Sequence, residues 1–167
     1  TPWTPLSVTG LQAVQMTDKH YSTAVSLLID GVWIGADQRD SLSLTDPATG
    51  VELGRIPVAT AADLDAAVAA AVRAFGPWKE QTALARYKIL MKAADIIDER
   101  VEAIAKVLTL ENGKPFAEAK AEVAFSAEAT RWYAEEGKRA YGRLVPSRTP
   151  GVRQMVMKEP VGPVAAF

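Results

Sequence analysis

The sequence runs to 167 residues, within the usual ~100–200 for a single domain. It holds 19 basic against 20 acidic side chains, a single His (His20) and no Cys. Balanced charge gives no basic footprint for nucleic acid or an anionic membrane, and the lack of Cys excludes disulfides, thiolate nucleophiles and thiolate zinc sites.

Hydrophobic residues make up 49%, but 29 residues are Ala, so the core reads as small and helix-biased rather than bulky. One His supports neither a Ser-His-Asp constellation nor a His cluster. No apolar run approaches the ~20 residues that span a bilayer. Residues 1–15 carry two Pro, no charge and no clean period, and charge first appears just after Met16. They read as a leader or tag-like segment, and the missing positive n-region argues against a secretory signal.

Ser26-Leu27-Leu28-Ile29, Asp30-Gly31 and Val32-Trp33-Ile34 spell a β-hairpin, with Asp-Gly supplying the positive φ angles of a two-residue turn. A second strand pair spans Ser41–Pro57 around Asp46-Pro47 and Thr49-Gly50. Helices follow. Thr60 and Asp63 resemble a capping box; Leu64, Ala67, Val68, Ala71, Val72 and Phe75 then recur at helical spacing until Gly76-Pro77 stops the run. Thr82 caps a second helix striped by Leu84, Tyr87, Leu90, Met91, Ala94 and Ile97. A third carries Val101, Ile104, Ala105, Val107 and Leu108, and ends at Asn112-Gly113 with Pro115 beyond.

The longest helix is expected from about Phe116 to Tyr141, stopping at Gly142. Lys114/Lys120 and Glu118/Glu122 read as a solvated face with i,i+4 pairing, since nothing nearby would raise a carboxyl pKa for acid–base work. Arg143-Leu144-Val145 and Val152–Lys158, either side of a Pro-marked turn, form a long hairpin-like ribbon. Such a ribbon is marginal alone and calls for a partner sheet, most simply from another subunit. Val161–Phe167 is apolar with no cap or polar tail, and reads as the start of a buried strand that continues. There is no internal repeat, and Gly31…Gly35 is not a phosphate-binding G-x-G-x-x-G.

Taken together, several motifs resemble the opening of the aldehyde dehydrogenase superfamily. They are Leu28–Trp33, Asp46-Pro47-Ala48-Thr49-Gly50, Ala74-Phe75 with Trp78, Arg86 with Leu90, Leu110–Pro115, Trp132–Gly142 and Glu159-Pro160-Val161-Gly162. They stand in order and register from about residue 27 to 167. The Glu135–Arg139 run is most similar to the succinate-semialdehyde dehydrogenase branch.

The resemblance implies an α/β fold: two β-hairpins, several helices and a protruding β-ribbon oligomerisation arm, with the Rossmann-like core incomplete. By domain, 16–142 would wrap the cofactor-binding domain, 143–160 would be the ribbon, and 161–167 would begin a cofactor-domain strand. It implies NAD or NADP as cofactor, a small-molecule aldehyde as substrate, and a homodimer or homotetramer assembled through the ribbon. It also implies a cysteine thiolate attacking the aldehyde, an oxyanion hole, hydride transfer to NAD(P)+ and hydrolysis by Glu-activated water. The family's Cys, Glu and Asn for those steps come later than Phe167, so no catalytic residue is expected here.

Three roles carry over residue by residue. Phe167 would approach the nicotinamide-side ribose through its backbone, or be a buried strand residue. Phe125 would line the aldehyde tunnel, or be plain core. Glu111, with the carbonyls of Leu44 and Thr45, would hold a monovalent cation, or be a solvated Glu at a helix end. A cytoplasmic location is the expectation from the missing Cys and targeting signal. The contrasting expectation is a non-catalytic structural or oligomerisation module, or the remnant of a broken gene.

Overall fold

A computed structural model describes residues 25–166. The leader-like stretch 1–15, Met16, His20 and Phe167 lie outside the described residues. Strands β1 (Ser26–Ile29) and β2 (Val32–Gly35) pair antiparallel with Ile29 opposite Val32. Asp30 (φ 51°) and Gly31 (φ 81°) make the two-residue turn that their types predict. A 3-10 turn at Ala36–Gln38 leads to β3 (Ser41–Thr45), which pairs with β4 (Glu52–Pro57). Asp46 organises the turn between them: its carboxylate accepts from the Ala48 N–H (2.8 Å) and the Thr49 hydroxyl (2.9 Å). The register slips at Leu44/Thr45, a bulge one residue before that turn.

Four helices follow: α1 (Ala61–Lys79), α2 (Ala83–Glu99), α3 (Val101–Asn112) and α4 (Phe116–Gly137). Thr60 and Asp63 form the reciprocal capping box, and Thr82 caps α2 through the Ala85 N–H at 3.2 Å. Pro77 does not stop α1. The helix runs two residues past it, because a proline in the last turn forfeits only one intrahelical bond. Gly113 (φ 77°, ψ 8°) closes α3 in the left-handed region, and its N–H returns to the Thr109 carbonyl at 2.8 Å.

α4 stops at Gly137, four residues short of the expected Tyr141. The Lys138 and Arg139 N–H groups turn to the Glu135 and Glu136 carbonyls, a tightened i→i+3 pattern that uncoils the helix. Strands β5 (Arg143–Val145) and β6 (Gln154–Val156) then form the ribbon, with β6 shorter than the expected 152–158. Residues 157–166 take no regular structure, and Val161 is 93% exposed. The three strand pairs remain separate two-stranded sheets. This is an α/β arrangement with an incomplete core, as the sequence predicts.

α4 packs chiefly on α2 and next on α3. The buried apolar residues are Ala94, Ala105, Ala119, Val123, Ala127 and Ala134, so close helix approach rests on alanines. By contrast the α1 stripe is open: Leu64, Val68 and Val72 are each more than half exposed. Periodicity alone predicts that face to be core. Here α1 is anchored mainly on β1, including an Arg73–Asp30 ion pair at 2.7 Å, and no described element covers its stripe.

The capping box yields a pH signature. The Thr60 hydroxyl and N–H, each 2.7 Å from the Asp63 carboxylate, hold its pKa below the ordinary carboxylate value, with help from Arg39. A depressed pKa adds stability that is fully present above the unfolded value and lost as pH falls through the folded one. Asp63→Asn should therefore lower the melting temperature at pH 7 and flatten its decline between about pH 5 and pH 2. An unchanged acid limb in a melting-temperature series would remove the box as a contributor.

Candidate functional site

α4 has two unlike faces. Ala119, Val123, Ala127 and Ala134 face α2 and α3, whereas Phe125, Trp132 and Tyr133 are 68%, 66% and 71% exposed. Phe125 and Trp132 are seven residues apart, so they lie two turns apart on one face. Phe125 is thus no core residue among the described ones; it stands on an open aromatic strip.

The inner face is clamped from the side. Arg131 donates from one guanidinium nitrogen to Asp95 (2.9 Å) and Asp98 (2.6 Å), one turn apart on α2. Lys120 crosses to Glu102 of α3 at 2.7 Å, and that partner depresses the Glu102 pKa. Lys114 pairs with Glu122. The charges around Lys114–Glu122 lie on an exposed face as expected, but their pairing is not i,i+4. They tie α4 to its neighbours and to its own entry loop, and paired Asp95/Asp98 was the sequence signal that α2 awaits a cation.

The Glu111 trio is drawn from two elements. Pro47, in the β3–β4 turn, lies so close to Gly113 that a Cβ there would stand 3.2 Å from its ring. Glu111 is exposed near the end of α3, and the Leu44/Thr45 bulge lies in β3 just before the turn that carries Pro47. Among the described residues no three His, Asp or Glu side chains converge as a metal site. Any ion at Glu111 would lean on backbone carbonyls, and a bulge is where such carbonyls leave the ladder.

A cleft of about 250 Å³ between α1 and α2 is lined by Ala74, Pro77, Trp78, Gln81 and Ile89. Its lining holds no titratable or nucleophilic group, so it can offer shape but no chemistry. At the C-terminal end of α4, Lys138 pairs with Glu135 (2.8 Å) and sits 3.8 Å from the centre of the Tyr87 ring. Lys138, and secondarily Tyr87, depress the Glu135 pKa. The root of the ribbon is thereby fixed to α2. β5 and β6 otherwise make substantial contact only with each other.

The sequence profile of the Aldehyde dehydrogenase family matches residues 33–167. The chain belongs to that family. Among curated aldehyde dehydrogenases it is 45% identical, over 139 residues, to the 3-sulfolactaldehyde dehydrogenase of Pseudomonas putida. That match covers 83% of this chain and 29% of the relative. Over 140 residues it is 40% identical to the NADP(+) succinate-semialdehyde dehydrogenase GabD of Escherichia coli strain K12, covering 84% of this chain and 29% of GabD. The crystal structure of succinate-semialdehyde dehydrogenase from Burkholderia pseudomallei superposes with a TM-score of 0.80 at 39% identity. It spans 86% of this chain and 30% of that one. The chain thus spans about 29% of the length of these curated relatives. It has the fold of the N-terminal part of an aldehyde dehydrogenase.

Proposed function

We propose that the chain is the N-terminal part of an NAD(P)+-dependent aldehyde dehydrogenase that oxidises an aldehyde with an anionic far end, succinate semialdehyde first, to its carboxylate. The observation that carries this reading is the chemistry shared by its relatives' names. Sulfolactaldehyde, succinate semialdehyde and glutarate semialdehyde each pair an aldehyde with a sulfonate or carboxylate. In this reading residues 16–142 wrap the cofactor domain, 143–160 form the oligomerisation ribbon of a homodimer or homotetramer, and 161–167 enter the cofactor-domain strand.

The described residues do not themselves fit a dinucleotide. Their positive-φ glycines (Gly31, Gly50, Gly113, Gly151 and Gly162) lie in turns, loops or a helix end, and none opens a helix as a phosphate cradle does. Cofactor contact therefore falls to Phe167 and residues outside the described ones, and no chemical step is assigned to α1–α4. What α4 contributes is an apolar wall: Phe125, open and uncommitted to the core, lines the approach of the aldehyde. Glu111, with the Leu44 and Thr45 carbonyls, holds a monovalent cation that ties β3 to α3. No described helix is long and apolar enough to cross a membrane, and a cytoplasmic location belongs to the same reading.

The test is a 340 nm assay of the full-length gene product with succinate semialdehyde and NAD+ or NADP+. Turnover with at least one cofactor is expected, and none from the 167-residue chain alone. Turnover of uncharged aldehydes but of neither succinate nor glutarate semialdehyde would remove the substrate assignment. A gene product that ends with this chain and oxidises nothing would favour a non-catalytic module.

A further inference from the structure

Charge is distributed unevenly along this nearly neutral chain. Residues 143–158 carry Arg143, Arg148, Arg153 and Lys158 and no carboxylate; acid returns only at Glu159. Four positive charges thus sit in sixteen residues, and since the whole chain is at −1, the remainder carries five net negative charges. The four cations form no ion pair or side-chain hydrogen bond among the described residues, unlike Lys138 and Arg139 at the ribbon's root, which pair with Glu135 and Glu136. The body, meanwhile, presents carboxylates without a partner at Asp65, Glu80, Glu118 and Glu128.

The ribbon's shape sets these charges apart. Arg143 shares a face with Val156, its partner across the ladder, while Leu144 and Met155 share the other face at 78% and 69% exposure. Both strands are three residues long with open edges, so the ribbon calls for a partner. The arm is thus apolar on one face and cationic along its length, while the rest of the chain is net acidic.

Resting on the reading of 143–160 as the oligomerisation ribbon, we propose that the arm is electrostatically steered. Its four cations are drawn to the net-negative remainder of this chain in a second copy, before Leu144 and Met155 dock. Opposed net charges on arm and body raise the encounter rate at low salt and lose that advantage as ions screen them.

The experiment mixes separately labelled full-length subunits and follows assembly by energy transfer across a salt series. The wild type should assemble roughly tenfold more slowly at 0.5 M than at 0.05 M salt. The Arg148→Glu/Arg153→Glu pair should be slow at low salt and nearly insensitive to it, with unchanged circular dichroism. Wild-type rates in that double variant would overturn the proposal. Leu144→Asp/Met155→Asp separates the two layers. If this variant assembles normally, the ribbon is not the interface and both readings fall. If it does not assemble while the charge-reversed one behaves as wild type, only the steering falls. Binding of phosphatidylserine vesicles or duplex DNA by the wild type but not the charge-reversed protein, with assembly untouched by salt, would assign the cations to a polyanion instead and overturn the proposal.

Discussion

Gly142→Ala in the full-length protein should open the β5–β6 ribbon and shift the assembly to smaller species, with helical circular dichroism retained. Gly142 joins the end of the α4 region to β5, directly beside the return of β6. A Cβ built there would stand inside contact distance of the Val156 carbonyl oxygen, with Met157 Cα at 3.8 Å. Both obstacles are backbone, so neither can swing aside. Overpacking of this kind costs about 1–3 kcal/mol. That sum is decisive for a ribbon of two three-residue strands, which is marginal to begin with. The control is Gly35→Ala. Its Cβ would meet Asp37 Oδ1 at 2.5 Å, but that is the tip of an exposed side chain free to rotate. Analytical ultracentrifugation of both variants checks the contrast. If Gly142→Ala sediments as the wild type does, either β6 can yield or the ribbon does not carry the assembly; Leu144→Asp/Met155→Asp distinguishes these.

What the sequence disclosed was local, and what it concealed was set by distant neighbours. Asp30-Gly31, the Thr60/Asp63 box and the Gly113 cap were legible because each depends on backbone sterics or a hydrogen bond within four residues. Pro77 misled because a proline's cost depends on how much helix remains beyond it, and here only Trp78 and Lys79 do. The end of α4 was misplaced for a similar reason: Lys138, Arg139 and Ala140 favour helix, but Gly137 before them does not, and the Glu135–Lys138–Tyr87 knot holds the chain against α2. Charge pairing went astray because Lys114 and Lys120 had nearer carboxylates in sequence than the ones they chose in space.

The candidate site divides along the same line. The motif register placed the chain in its family, since residues 33–167 carry that pattern as a linear string. Whether Phe125 faces α2 and α3 or stands open could not be read from the string, because α4 is Ala-rich all round and its hydrophobic period is weak. The decision lies in which face α2 and α3 occupy, and they occupy the alanine face. The approach of Pro47 to Gly113, residues 66 apart in sequence, was similarly hidden.

That division of α4 leads to the largest expected effect on stability. Val123 is 5% exposed and packs with Ala105 and Ala119, with Ile97, Val101 and Leu108 closing around it. No cation or donor belongs to that cluster. Val123→Asp would place a carboxylate where nothing can pair with it, at a cost of about 3–5 kcal/mol. Against a typical total of about 5–15 kcal/mol, such a loss should depress the melting temperature sharply and reduce soluble yield. Phe125→Asp, two residues on but on the open face, should change stability by no more than about 0.5 kcal/mol. The acid response gives a second, independent readout. An unpaired buried carboxyl has a raised folded pKa, so its penalty grows as pH rises and eases as the group becomes protonated. The deficit of Val123→Asp relative to wild type should therefore narrow on acidification toward about pH 5, at higher pH than the Asp63→Asn deficit, which narrows only as Asp63 itself becomes protonated. Equal melting temperatures for Val123→Asp and Phe125→Asp would mean that α4 does not present these two faces as described. In that case Phe125 would lose its claim to line a path for the aldehyde, because its openness is the ground for that role.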